Sequence, residues 1–384
     1  MGSLFWPGDD RGGDHLTEAS FLRAMVCVED AWLDVLGVAH EPLPDFDRST
    51  VRSESAGNPV PGLVSLLRES LDGEPARWVH RGLTSQDVID SAVMVMLRDA
   101  VTGVRQELRI QVAELADLAE VHRTTPMVAR TLTQHAVPTT FGLKVSGWLT
   151  GVLDADADLA PLSFPVQLGG AAGTLAAVVE LGLDPTVARD RLASALGLVP
   201  SLPWHTSRAP ITRIGDAAVG CTDAWGRIAN DVLILSRPEI GELKEGEGGG
   251  SSTMPHKHNP ALSGLIRRAA LAAPQLAATL HAAAAASVDE RAAGAWHAEW
   301  ATVATLVRRT LVAGSQATDL LGGLRVHVER MAATLDAADV GSEQRSMAEL
   351  SGHEPRPDYR GASDEIIDAV LDRAHRLLKS EEGA

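Results

Sequence analysis

Residues 93–119 read VMVMLRDAVTGVRQELRIQVAELADLA, and their apolar positions advance in steps of three and four. This spacing is the period of an α-helix, and it places one apolar stripe on a single helix face over many turns. A helix with such a stripe buries it against neighbouring helices. The stripe consists of Val93, Leu97, Val101, Val104, Leu108, Val112, Leu115 and Ala119.

Three further stretches predict long helices of the same kind. Residues 214–235 form the first, which should end near Arg237-Pro238 because proline supplies no amide donor. Residues 261–286 and 296–317 form the other two, and a shorter helical pattern covers residues 21–36. No strand-like alternation separates these patterns, so the sequence predicts an all-α fold built on a long central helical bundle.

The order of these patterns predicts three domains. Residues 1–82 would form an N-terminal helical domain, residues 83–335 the central long-helix bundle, and residues 336–384 a shortened C-terminal helical segment. Apolar stripes this long usually need partners from other subunits, so we also expect a homo-oligomer.

Composition narrows the classes of function. The chain has 384 residues, of which 45% are hydrophobic, and a formal net charge of −17. Such a charge repels phosphate backbones and anionic lipids, which argues against nucleic-acid and membrane partners, and an anionic substrate would need a locally positive site. Because the N-terminus lacks a basic region followed by an apolar one, and no apolar run could span a bilayer, we expect a cytoplasmic protein.

The stretch with the most chemical information is Gly250-Ser251-Ser252-Thr253-Met254-Pro255-His256-Lys257-His258-Asn259-Pro260, which follows Gly248-Gly249. Consecutive glycines adopt backbone angles closed to other residues, so this segment can move over a ligand and bring amides, hydroxyls and an ammonium to it. The pattern predicts a mobile catalytic loop. A flexible linker would explain the glycines, but not the Ser-Ser pair followed by Met-Pro, Lys and Asn-Pro.

Two other segments carry polar groups near predicted helix starts. Thr84 is placed to cap a helix, with Asp87 in a capping-box arrangement, and the free amides there could bind a carboxylate. The alternative is that Thr84 and Ser85 are caps and nothing more. Pro138 suits a helix start, which would leave His135 in the loop before it as a proton-exchanging imidazole or an ordinary surface histidine.

The sequence predicts neither a metal nor a cofactor. There are 13 histidines, and His256 and His258 flank Lys257, but no HExxH or CxxC spacing is present. A phosphate loop and a dinucleotide fingerprint are also missing, since the glycines near Gly169 lie in a chain without alternating strands.

Three motifs resemble the fumarase/aspartase superfamily. The stretch 250–260 resembles its signature loop, Gly-Ser-Ser-x-Met-Pro-x-Lys-x-Asn-Pro, with every fixed position filled. Residues 82–87 resemble its first signature region, which binds a substrate carboxylate. Residues 134–140 resemble the second, whose histidine belongs to the acid/base apparatus.

Further segments resemble one branch of that superfamily, the 3-carboxy-cis,cis-muconate cycloisomerases. They are residues 164–174, 203–208 and 296–300. The resemblance fails after about residue 340 and returns at residues 357–378, so the C-terminal domain looks shortened by an internal deletion.

The resemblance implies a homotetrameric intramolecular lyase with active sites shared between subunits and a small di- or tricarboxylate substrate. Ser251 would exchange a carbon-bound proton, and His135 would assist as a proton relay or anion stabiliser. Substrate-binding residues implied in the same way are His80, Thr84, Ser85, Gln134, Arg208, Ser252, Met254, Lys257 and Asn259.

Two alternatives stay open at this point. One is a lyase of the same superfamily that releases fumarate from a substituted succinate of the adenylosuccinate or nitrosuccinate type. The other is a non-catalytic structural or binding homologue, against which the intact Ser251, Lys257, Asn259 and His135 argue.

Overall fold

The computed structural model describes residues 3–246, 249, 250, 254 and 257–379. Thirteen α-helices dominate this described part, which confirms the predicted all-α class. They are α1 (Glu18–Leu36), α2 (Val60–Ser70), α3 (Gly73–Trp78), α4 (Ser85–Val121), α5 (Phe141–Leu159), α6 (Ala176–Glu180), α7 (Pro185–Leu196), α8 (Ala209–Leu235), α9 (Ala261–Ala285), α10 (Ala295–Gly322), α11 (Val328–Asp336), α12 (Ser342–Ser351) and α13 (Ser363–Lys379).

Six short strands in the described residues form three two-stranded antiparallel pairs, β1 with β2, β3 with β6 and β4 with β5. They are β1 (Pro126–Thr131), β2 (Gln134–Thr140), β3 (Leu243–Lys244), β4 (Gly249–Gly250), β5 (His258–Asn259) and β6 (Arg325–Val326).

The four long helices match the sequence patterns closely. Helix α4 has 37 residues, and α8, α9 and α10 have 27, 25 and 28. Helix α8 ends at Leu235, three residues before Pro238, and α9 begins directly after Pro260. The predicted stripe of α4 is buried along its whole length, from Val93 to Ala119.

The chain divides into two compact units. Unit 1 contains residues 1–103, 161–219 and 273–312, and unit 2 contains residues 104–160, 220–272 and 313–384. Each of the four long helices contributes residues to both. These units are discontinuous in sequence, whereas the three predicted domains are continuous segments, and the domain boundaries stay a prediction.

Buried tryptophans in unit 2 keep their polar atoms satisfied. The Trp225 Nε1–H donates to Gln111 Oε1 at 2.6 Å, and the Trp148 Nε1–H donates to Asp231 Oδ2 at 2.8 Å. The first bond joins α8 to α4 and the second joins α5 to α8, because a buried indole needs an acceptor that a neighbouring helix can supply. The C-terminal helix α13 packs on α5 in the same unit.

The predicted helix start at Pro138 is wrong. Pro138 lies inside β2, opposite Val128, and helix α5 begins at Phe141. Thr140 caps that helix, since its Oγ1 accepts a hydrogen bond from the Leu143 N–H at 3.2 Å. A two-stranded hairpin has free edges, so proline can occupy a strand position whose N–H is not needed.

In the described part of the chain, no helix combines the length and the apolar character that crossing a membrane requires.

Candidate functional site

In unit 1, the chemistry centres on the start of α4. The carboxylate of Asp87 is fully buried and accepts hydrogen bonds from the N–H groups of Thr84, Gly169 and Gly170 at 3.0, 2.8 and 3.0 Å. Its bond to Thr84 is the half of the predicted capping box that Asp87 was expected to supply. Burial raises the pKa of Asp87 to about 7, while these hydrogen bonds and one from Gln167 oppose the rise. Asp87 thereby joins the 82–87 motif to the 164–174 segment.

A buried histidine completes this junction. The imidazole of His205 lies so close to Gly169 that a Cβ atom there would stand 2.0 Å from His205 Cε1, so glycine is required by the close approach. His205 Nε2 donates to the Gly170 carbonyl at 3.0 Å, and Nδ1 accepts from Gln167 Nε2 at 3.2 Å. Burial lowers the pKa of His205, so the ring stays neutral in this network.

Arg208 forms a buried ion-pair triad with two carboxylates. Its guanidinium lies 2.7 Å from Asp90 Oδ2 and 2.7 Å from Glu299 Oε2, and the residue is 3% exposed. Burial alone would lower the pKa of Arg208, but the two carboxylates outweigh it and raise the pKa above its ordinary value. The indole of Trp296 adds a hydrogen bond to Asp90 Oδ1 at 3.0 Å.

This geometry differs from the predicted substrate contact of Arg208. A guanidinium held by two buried carboxylates has no surface left for a third anion, so we assign Arg208 a positioning role. The triad also joins segments that resemblance had singled out separately. Residues 203–208 and 296–300 meet through Arg208 and Glu299, and residues 164–174 meet them through His205.

Sequence reasoning missed Arg291. Its Nη2 donates to Thr84 Oγ1 at 2.6 Å and its Nε donates to Gln86 Oε1 at 3.3 Å, while Nη1 makes no hydrogen bond to any described residue. Thr84 and Ser85 therefore lie beside a partly buried cation at the N-terminus of α4, where free amides and the helix dipole favour an anion. The sequence feature that could have pointed to Arg291 was its position five residues before Trp296, at the start of the 296–300 segment.

His80 precedes this group in the turn between α3 and α4. Its side chain is 20% exposed, and its Nδ1 lies 2.6 Å from Glu29 Oε1. Unit 1 thus brings together His80, Thr84 and Ser85 from the predicted set.

The buried neutral state of His205 predicts a pH effect on stability. Because its pKa is lowered in the folded protein, the stabilisation is present above the ordinary histidine pKa of about 6.5 and is lost as pH falls through the folded value. We expect acidification from neutral pH to reduce the unfolding free energy of the wild type more than that of His205→Gln, measured by urea unfolding at fixed protein concentration.

The pH dependence of the wild type is compared with that of His205→Gln because other groups titrate in the same pH range. Asp87 has a raised pKa and an opposite effect on stability, but it is present in both proteins and largely cancels. The exposed His353 gives the matched control, since His353→Gln should follow the wild-type pH dependence. Parallel curves for wild type and His205→Gln would contradict a neutral buried imidazole.

In unit 2, the two ends of the signature stretch are fastened to each other. The carboxylate of Glu245 is 3% exposed and accepts from Leu262 N–H at 2.7 Å, Ser263 N–H at 3.2 Å and Ser263 Oγ–H at 2.9 Å. These bonds satisfy free amides at the start of α9. Strands β4 and β5 pair Gly249 with Asn259, which closes the base of the loop. Ser251 and Ser252 lie outside the described residues.

A cavity of about 640 Å³ lies next to this base. Three basic residues line it, Arg237, Lys244 and Lys257, and none of them forms an ion pair with a residue that the structure describes. Glu245 also lines the cavity, but α9 engages its carboxylate. The remaining polar lining comes from Ser236, His258, Asn259 and His327. Met254 is described but does not line it, and is 40% exposed.

His135 is exposed on β2, directly opposite Arg130, with Gln134 beside it at the hairpin end. The turn between the strands places Leu132 and Thr133 at φ values of 48° and 72°, a left-handed conformation that costs a leucine or a threonine about 1–3 kcal/mol. A strained turn next to a candidate proton carrier is consistent with a functional constraint.

An ion pair ties this hairpin to the cavity region. Arg130 donates to both carboxylate oxygens of the fully buried Glu242, at 2.9 and 2.7 Å. Because Glu242 directly precedes Leu243 and Lys244, β1 and the cavity wall are held by one bidentate contact. Unit 2 thus carries the predicted residues Gln134, His135, Lys257 and Asn259. Among the residues that the structure describes, no group of three or more His, Cys, Asp or Glu side chains could hold a metal ion.

Fold and motifs together define a helical lyase. Residues 52–274 match the family model described as lyase, so the chain belongs to this lyase family, within the fumarase/aspartase superfamily.

Two relatives and one solved structure illustrate the similarity. Over 298 residues, the chain is 47% identical to a nitrosuccinate lyase of Streptomyces davaonensis, covering 74% of this chain and 63% of the relative. Over 292 residues it is 44% identical to a 3-carboxy-cis,cis-muconate cycloisomerase of Bradyrhizobium diazoefficiens, covering 73% and 64%. The 3-carboxy-cis,cis-muconate lactonizing enzyme of Pseudomonas putida superposes with a TM-score of 0.82 at 26% identity, covering 94% of this chain and 96% of that one. The chain thus spans less than two thirds of the length of the two curated relatives.

Proposed function

We propose that this protein is an intramolecular lyase that interconverts 3-carboxy-cis,cis-muconate and 4-carboxymuconolactone. In the lactonising direction a substrate carboxylate oxygen bonds to one carbon of a double bond, and a proton adds to the other carbon. The reverse reaction is a β-elimination in which the proton leaves from a carbon next to a carboxylate. Aromatic-acid breakdown is the metabolic setting that this chemistry suggests.

The observation that carries the proposal is the positive cavity beside the signature loop. In a chain with a formal net charge of −17, Arg237, Lys244 and Lys257 line one cavity without ion-pair partners among the described residues. A tricarboxylate concentrates negative charge, and more accumulates on the carboxylate next to the carbon that loses its proton. Cations that are already in place stabilise both without reorganisation.

The N-terminus of α4 supplies a second anion site. Arg291 is held on Thr84 Oγ1 by its Nη2, its Nη1 makes no hydrogen bond to any described residue, and the first-turn amides of α4 add partial positive charge. A substrate carboxylate would bind there. In this scheme Ser251 moves the carbon-bound proton, and His135 stabilises charge or relays the proton. The leaving carboxylate departs without protonation, so no strong general acid is needed.

Substrate consumption tests this proposal directly. Purified protein is given 3-carboxy-cis,cis-muconate, and loss of diene absorbance and appearance of the lactone are followed together. We expect Lys244→Met to raise KM, because it removes charge that binds ground and transition state alike. The matched control is Lys144→Met in the same unit, a lysine whose Nζ lies 3.6 Å from Asp231 and which does not line the cavity.

A second candidate function rests on the nitrosuccinate lyase relative, which is 47% identical. It would cleave a substituted succinate to fumarate, using the same proton transfer next to a carboxylate. If the protein leaves 3-carboxymuconate untouched and releases fumarate from nitrosuccinate, this second function replaces the first. If neither substrate reacts, the non-catalytic alternative is favoured.

We also propose a cytoplasmic homotetramer with active sites shared between subunits. The anion site at α4 belongs to unit 1, whereas the signature loop and His135 belong to unit 2. Sharing between chains is therefore compatible with the division of the site residues.

Subunit exchange tests this sharing. Arg291→Met and Ser251→Ala are each expected to be nearly inactive, and mixing them should restore measurable turnover, because some sites then combine two intact contributions. Native mass spectrometry of differently tagged subunits is the control that exchange has occurred. No recovery after proven exchange, or a fully active monomer in sedimentation, would contradict the shared site.

A further inference from the structure

The proposed mechanism gives no role to the buried acid Glu29. Glu29, in α1, is fully buried, and its Oε1 lies 2.6 Å from Nδ1 of His80. Its second oxygen, Oε2, is buried without a hydrogen-bond partner in the described part of the chain. Burying a carboxylate removes it from water, and this desolvation cost is usually offset by several hydrogen bonds. Glu29 has only the one contact with an imidazole among the described residues. The contact with His80 therefore needs a reason beyond fold stability.

The backbone of His80 is itself strained. Its φ is 64°, a left-handed conformation that residues other than glycine adopt at a cost of about 1–3 kcal/mol. Helix α1 holds the same turn at a second point, where the Trp32 Nε1–H donates to the Arg81 carbonyl at 2.7 Å. Two side chains of α1 thus fix both the backbone and the ring of this turn.

The contact with Glu29 also decides which ring nitrogen carries the proton. When Glu29 is ionised its oxygen can only accept, so Nδ1 donates, and in a neutral ring the lone pair is then on Nε2. Nε2 makes no hydrogen bond to any described residue, and the side chain is 20% exposed. His80 therefore offers an oriented acceptor atom four residues before Thr84, where Arg291 is held.

We propose that Glu29 is a positioning residue, which fixes His80 in the Nδ1–H tautomer and holds its Nε2 as a hydrogen-bond acceptor beside the anion site at the start of α4. The inference rests on the proposed function for its substrate, but the state of the imidazole can be measured without any turnover. Glu29 acts through His80, so its removal has consequences that loss of packing does not produce.

Chemical labelling reads the imidazole directly. Diethyl pyrocarbonate acylates an unprotonated ring nitrogen, and peptide mass spectrometry gives the rate at each histidine. Well above the ordinary histidine titration range, we expect Glu29→Gln to slow labelling of His80 several-fold, because the amide can donate to Nδ1 and move the proton to Nε2. His353, exposed and far along the chain, is the internal reference.

A matched variant separates positioning from loosening of the turn. Trp32→Phe removes the hydrogen bond to Arg81 but leaves Glu29 in place, so it should leave labelling of His80 unchanged or faster. If Glu29→Gln also labels at the wild-type rate or faster, the proposal is overturned. Should Glu29→Gln fail to fold, Glu29→Asp, which keeps the charge but shortens the reach, is used in the same comparison, and slower labelling is again expected.

Kinetics give the second readout. Loss of a carboxylate that orients a metal-bound histidine costs about 10–100-fold, and by analogy we expect Glu29→Gln to lower kcat by a similar factor with KM changed little. In a His80→Asn background the same change should have no further effect, because the residue it acts through is gone. Additive losses would overturn the proposal. A wild-type protein inactive on both substrates would refute the proposed function, whereas the labelling result would still decide the role of Glu29.

Discussion

Replacing Arg208 by methionine is expected to lower the unfolding free energy by about 3–5 kcal/mol, because it leaves two buried carboxylates unpaired. Asp90 and Glu299 each lie 2.7 Å from the guanidinium and are 1% and 2% exposed. Burial already raises the pKa of Glu299, and Arg208 opposes that rise, so the variant should take up protons on folding. Urea unfolding at fixed protein concentration measures the loss.

Two further proteins make this result specific. Arg189→Met removes an arginine that pairs with its half-exposed neighbour Asp190, and should cost less than about 1 kcal/mol. The triple variant Arg208→Met, Asp90→Asn, Glu299→Gln should recover part of the stability, since none of these three positions then carries a charge. A stable Arg208→Met protein that has lost substrate binding would instead support the substrate contact predicted from the sequence.

Replacing Ser251 by alanine is expected to reduce kcat by about two to four orders of magnitude while substrate binding stays nearly intact. In the proposed mechanism the serine moves a proton during the reaction and contributes little to binding the substrate in its ground state. Lys257→Met should weaken binding as well, because the lysine neutralises negative charge that is present in both the ground state and the transition state. Single-turnover rates together with equilibrium binding of the substrate separate the two effects.

The control for Ser251 is a serine of similar chemistry outside both anion sites. Ser65, whose hydroxyl donates to Pro61 O at 3.0 Å on α2, can be changed to alanine with no expected effect on kcat. Wild-type consumption of substrate by Ser251→Ala would remove the serine as proton carrier. The family membership would stand, since it rests on the match over residues 52–274.

Much of the fold was predictable because a helix with one buried face has apolar residues at a regular spacing in its sequence. The apolar positions between Val93 and Ala119 repeat at the helical period, and that period alone requires a helix with one buried face. The hairpin around His135 left no comparable record, because its strands are short and Pro138 favours a helix start in other settings. Pairing with β1 makes residues 134–140 a strand, and the local sequence pattern does not show which segments pair.

The candidate site was predictable where a motif names its own chemistry. The residue types around Lys257 and Asn259, and those around Thr84 and Asp87, were singled out by their side-chain chemistry and by their resemblance to signature regions of the superfamily. Arg291 was not, because its importance comes from the Thr84 hydroxyl at 2.6 Å, more than 200 positions away in the chain. The ion pairs of Arg208 were not predictable for the same reason, since its partners Asp90 and Glu299 lie in other segments.

The sequence by itself determined the helical class, the lyase motifs and the need for a positive site in an acidic chain. Local periodicity, residue chemistry and net charge are properties of the chain, and they persist whatever its fold. Tertiary structure decided which charges are free. It paired Arg208 with two buried carboxylates and placed Glu29 against His80. It left Lys244 and Lys257 without ion-pair partners among the described residues. Whether a charged side chain binds substrate or stabilises the fold depends on how deeply it is buried and on which charged groups lie near it in space.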